Sequence, residues 1–170
     1  MLDLEARNGL VVQQDVMTSS KYYGDDAGAF KTMTNIVDVL ERVGFEVLRK
    51  KIESEPSHHG APQSAGEPMP ERCYFESHVA FLVQENKNVL QEIAERNCAH
   101  VSRNPFKKTE QGMIILVTLR DYVNPFSVFI TQVERLLADA ARYGFTPHKK
   151  VEVEFAVYDS NTMHDISWLT

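Results

Sequence analysis

RCYFESHVAF, residues 72–81, alternates side chains at the two-residue period of a β-strand, yet it sets Glu76 and His78 on one face where a buried strand carries Val or Ile. Phe75, Val79 and Phe81 point the other way, with Ser77 the exception; extended to residue 83, that set gains Val83. The strand therefore has an apolar side for a core and a second side, Tyr74, Glu76, His78, Ala80 and Leu82, that is mixed. Two later stretches sort the same way. In GMIILVTLR (112–120), Met113, Ile115, Val117 and Leu119 oppose Ile114, Leu116, Thr118 and Arg120. In KVEVEFAVY (150–158), Val151, Val153, Phe155 and Val157 oppose Glu152, Glu154, Ala156 and Tyr158.

Helices punctuate these strands. Phe30, Met33, Ile36, Val37 and Leu40 form one stripe over 26–43, followed by Gly44 in the position of a left-handed cap. Val89, Leu90, Ile93 and Ala94 do the same over 87–96. The third stripe runs from Phe126 through Phe129, Ile130, Val133, Leu136 and Leu137 to Ala140; Asn124 is placed to cap it, Pro125 suits its first turn and Gly144 ends it. Further strands are expected at 9–16, 45–53 and 99–104. VGFEVLRKK after the first helix and YGFTPHKKV after the third form a weak internal echo. The order predicts an α+β domain: a ferredoxin-like antiparallel sheet built from three βαβ units, helices on one face and the other face at least partly open. The segment 45–53 fits poorly, with Phe45 and Val47 on the side of Arg49 and Lys51, so it either bulges or forms an edge.

The chain reads as a single domain over 1–170, with a mobile Pro/Gly-rich loop at 54–72 and a C-terminal tail at 159–170. Its 43% hydrophobic content suffices for a core. A formal net charge of -6 argues against broad phosphate neutralisation, and only Tyr74 and Tyr158, near strand ends, are available to stack bases, so nucleic acid is not an expected partner. The longest apolar runs, such as MIILV at 113–117, fall far short of the roughly 20 residues of a membrane span. The acidic start MLDLEARNGL carries no signal-like apolar core, and a cytoplasmic location is the expectation. Cys73 and Cys98 have neither zinc nor redox spacing.

If 73–83, 112–120 and 150–158 are neighbours, Glu76, His78, Thr118, Arg120, Glu152 and Glu154 converge on the open face. Opposite charges across strands stabilise by roughly 0.2–1 kcal/mol per pair, so a solvated charge ladder accounts for the pattern. The mixture also suits acid/base chemistry on a small anionic, phosphate-bearing ligand. In that reading His78 and Glu76 are catalytic, Glu76 orienting His78; Arg120 holds the anion, and Thr118, Glu152 and Glu154 complete the ligand site. Mg²⁺ or Mn²⁺ is the cofactor that carboxylates there suit, although none of the six histidines has HxH, HExxH or HxxxH spacing and no metal-ligand set is assigned. The alternative is a non-catalytic module whose half-apolar face packs on a second copy, giving a homo-oligomer.

Overall fold

The computed structural model describes residues 2–5, 12–109 and 112–163. Along the chain lie β1 (Leu2–Glu5), β2 (Val12–Asp15), α1 (Asp26–Arg42), β3 (Lys51–Ser54), β4 (Tyr74–Val83), α2 (Lys87–Arg96), β5 (His100–Thr109), β6 (Gly112–Asp121), α3 (Phe126–Arg142) and β7 (Glu152–Asp159). The class is α+β. Five strands form an open antiparallel sheet in the order β3-β7-β4-β6-β5, while β1 and β2 pair with each other.

Three βαβ units feeding one sheet are not what is found. The strand expected to open the first unit pairs as β2 with β1, so α1 joins a separate two-stranded sheet to the edge strand β3. The expected strand at 45–53 shrinks to Lys51–Ser54, and its pairing with β7 shifts register between Ile52 and Glu53. It is thus an edge strand, and the bulge in its pairing lies on β7. The bulge leaves an extra residue on β7, so Asp159 rather than Tyr158 comes to the side of Glu76.

The core lies between the sheet and α2 and α3. Phe75, Val79 and Phe81 of β4 are fully buried against Ile115, Val117 and Leu119 of β6, Phe155 of β7, Leu90 and Ile93 of α2, and Phe129 and Leu136 of α3. Each such side chain contributes about 1.5–3 kcal/mol by leaving water. Ser77 lies among them, and its Oγ finds no hydrogen-bond partner among the described residues. By contrast α1 buries no side chain, despite its stripe. Its described ring contact with the sheet is Phe30 on Tyr158, centroids 5.3 Å apart.

Caps differ from expectation at α3. Asn124 does not cap it; Pro125 occupies the cap position, without a side-chain hydrogen bond. The first free N–H groups, those of Phe126 and Ser127, instead donate to the carbonyls of Pro62 and Gln63 at 2.8 and 3.2 Å. Asn124 is drawn aside by Asp121, whose carboxylate accepts from Asn124 Nδ2 and from the N–H groups of Val123 and Asn124. The Pro-rich segment between β3 and β4 is therefore packed at several points, with Ala61 buried and Met69 against the core.

Candidate functional site

Register fixes which polar side chains meet. Glu76 of β4 stands opposite Arg120 of β6 on one side and Glu154 of β7 on the other. One step along, His78 stands between Thr118 and Glu152, and His100 of β5 extends that row beyond Thr118. Strand alternation puts all of these on the face opposite the core.

Glu76 is the centre. Its side chain is 1% exposed, and its two oxygens are taken by Lys51 Nζ and Arg120 Nε. The side chain of Lys51 is 18% exposed and that of Arg120 12%. Two cations on one buried carboxylate, one from an edge strand and one from a central strand, tie the margin of the sheet to its middle. Lys51 also reaches Glu53 at 2.5 Å. Burial works against the ionised form of Glu76, but the His78 hydrogen bond and the charges of Lys51 and Arg120 outweigh it and hold the carboxyl far below the usual carboxylate range. For Lys51 burial again opposes the charge, and Glu76 and Glu53 override it, raising its pKa.

Both nitrogens of His78 are engaged, Nε2 at 3.3 Å from Glu76 Oε2 and Nδ1 at 3.0 Å from Thr118 Oγ1. The ring remains 30% exposed. Desolvation lowers its pKa, and the bond to and charge of Glu76 more than reverse this, so the imidazolium is favoured. Glu154 moves the other way from Glu76. Burial and then the neighbouring Glu53 push its carboxyl up, against the pull of His78 and Lys51, and among the described residues it has no hydrogen-bond partner. Two carboxyls on adjacent strands thus titrate in opposite directions around one imidazole, an arrangement that separates a fixed charge from a proton carrier.

Beside this group, Asp159 accepts from Tyr74 Oη at 2.8 Å and pairs with Arg49, whose Nη2 lies 2.5 Å from Asp159 Oδ2. Tyr74 is fully buried, with Lys51 and Arg120 over its ring at 5.1 and 5.7 Å.

Of the residues expected from sequence, Glu76, His78, Thr118, Arg120 and Glu154 come together, while Glu152 is exposed at the rim beside His78. Lys51, Glu53, Arg49 and Asp159 were missed. Arg49 and Lys51 do share a parity in the sequence, and the misfit of 45–53 marks an edge or a bulge there, but the strand on which the segment docks is not legible from it. Glu76, His78 and Glu154 offer donor atoms within 4.8 Å of one another, the spacing a divalent ion needs, but Lys51 and Arg120 already neutralise Glu76. Comparison of the chain with protein-family models, with curated proteins and with solved structures finds no match. Among the described residues no helix is long and apolar enough to cross a membrane.

Proposed function

We propose that the polar face binds a small ligand carrying an anionic group, such as a phosphate ester, and exchanges a proton with it. In this reading β7-β4-β6-β5 is taken as a ferredoxin-like set with β3 added at one edge, and the face of those strands opposite the core carries the polar residues. The observation that carries the reading is the placement of the partly exposed His78 ring within reach of two carboxyls on adjacent strands, the buried and doubly paired Glu76 and the half-buried Glu154, whose surroundings push them in opposite directions. Glu76 stays ionised and fixes the ring. His78 presents a partly exposed imidazolium to an anion. Glu154, half-buried and without a side-chain hydrogen-bond partner among the described residues, has its carboxyl pushed up by burial and by Glu53, and is the group suited to give and take a proton. Arg120 and Lys51 act through Glu76 first, so an anion shares them with that carboxylate and does not hold them alone.

The test is binding and turnover against a panel of nucleotides and phosphate esters, with wild type beside His78→Gln and Glu154→Gln. Binding should weaken in His78→Gln, and turnover should fall in Glu154→Gln while binding is kept. A wild type that binds none of the panel, or variants that behave like it, would refute the reading.

A further inference from the structure

A second cluster of donor side chains lies beside Phe155 of the core. Asp26 opens α1, and His58 and His59 belong to the segment between β3 and β4. Asp26 Oδ1 is 2.9 Å from His58 Nε2, and its Oδ2 is 3.5 Å from His59 Nε2. One donor atom from each of the three lies within 4.8 Å of the others. The His58 ring is held by stacking on Phe155, centroids 5.8 Å apart, and by His59 at 4.3 Å. Its side chain is 11% exposed against 81% for His59, so one ligand is fixed by the core and the other reaches in from solvent.

We propose that Asp26, His58 and His59 bind one divalent transition-metal ion of the zinc class and that the ion clamps the start of α1 to the β3–β4 segment. Two imidazoles and a carboxylate are the donor set of a borderline ion, whereas Mg²⁺ and Ca²⁺ prefer oxygen alone. Bonds of about 2.0–2.2 Å place tetrahedral donors about 3.3 Å apart. The 2.9 Å from His58 Nε2 and the 3.5 Å from His59 Nε2 are to the two different oxygens of Asp26, and with one donor atom of each residue already within 4.8 Å of the others, small side-chain rotations bring three donors to that spacing. Three protein donors leave a fourth position for water.

One hydrogen bond must change. The Gly60 N–H donates to His58 Nδ1 at 3.1 Å, which puts the ring proton of the ion-free form on Nε2, facing Asp26. Ligation moves that proton to Nδ1 and returns the Gly60 N–H to water, a small change because the bond is exposed.

The clamp has a structural consequence. No side chain of α1 is buried, and the segment that carries His58 and His59 also supplies the carbonyls that receive the first N–H groups of α3. A bound ion would tie the N-termini of both helices to one loop.

The full chain, stripped of metal by a chelator, is titrated with zinc chloride by calorimetry and with cobalt(II) by visible absorption. Wild type is compared with His59→Ala, Asp26→Asn and, as a control on the other donor cluster, His78→Ala. Wild type should take up one equivalent of zinc, show a four-coordinate cobalt band and melt at a higher temperature with zinc present. Affinity should fall tenfold or more in His59→Ala and Asp26→Asn and stay unchanged in His78→Ala. His59 is exposed, so its metal-free variant should melt as wild type does, and the zinc-dependent rise should vanish. Absence of zinc binding by wild type, binding that survives both variants, or binding lost in His78→Ala would each overturn the proposal.

Discussion

The two faces of β4 are buried to the same degree by opposite means. Phe75 and Phe81 on one side and Tyr74 and Glu76 on the other are all 0–1% exposed. The first pair is covered by α2, α3 and neighbouring side chains of the same chemistry. The second is covered by Lys51 and Arg120, whose polar ends reach back to Glu76, and by Tyr122, whose ring packs on Tyr74, while Tyr74 Oη donates to Asp159. The satisfied charge sits on the polar face, and the hydroxyl of Ser77, without a partner among the described residues, on the apolar one. Burial by itself says little about stability; what matters is whether each group taken from water finds a partner.

The largest effects should come from emptying either face. Phe75→Ala is expected to cost about 3–5 kcal/mol in chemical denaturation through the lost contacts and the cavity left behind. Glu76→Gln should cost a similar amount, about 3–5 kcal/mol, because a neutral amide no longer offsets the charges of Lys51 and Arg120 that converge on it, Lys51 keeping Glu53. A Glu76→Gln protein as stable as wild type would mean that the polar face is hydrated and the comparison fails.

Ser77→Ala should act in the other direction, raising stability by about 1 kcal/mol, since it deletes a buried hydroxyl that has no partner among the described residues. Phe30→Ala on α1 should cost about 0.5–1.5 kcal/mol, the worth of a ring pair at a helix that buries nothing. A loss as large as that of Phe75→Ala would put α1 in the core.

The dependence on pH sharpens the contrast further. The His78 pKa is raised in the folded state, so its contribution is full below the unfolded value of about 6.5 and disappears as pH rises through the folded value. The stability difference between wild type and His78→Gln should therefore shrink from acid to alkaline solution. Glu76 has a lowered pKa, so its contribution is present above the ordinary carboxylate range and is lost only as pH falls through its depressed folded value. Glu76→Gln should accordingly flatten the acid limb of the stability profile.

Much of this was legible in residues 72–81 and the two strands that flank them. Alternation alone assigned Phe75, Val79 and Phe81 to the core and Glu76, His78, Thr118, Arg120 and Glu154 to a shared face, because a period of two leaves no freedom once the strands are neighbours. The apolar stripes placed α2 at its observed bounds and α1 within a residue. What escaped depends on pairing at a distance. Lys51 reaches Glu76 only because β3 docks on β7 through a bulge, and Asp26 meets His58 and His59 only because α1 folds back on a loop 32 residues away. The stripe of α1 was legible as a helix, but its lack of burial was not, since periodicity gives a face and not the partner that covers it.

The central claim is that Glu76 and Glu154, on adjacent strands, have opposed proton affinities set by the groups around His78. Carbon-13 NMR of the side-chain carboxyls, followed across pH together with the His78 ring, measures this directly. Glu76 should stay ionised far below the ordinary glutamate range, Glu154 should titrate above it, and His78 should titrate above about 6.5. Two ordinary glutamate curves, or a Glu154 that titrates with Glu76, would contradict the account.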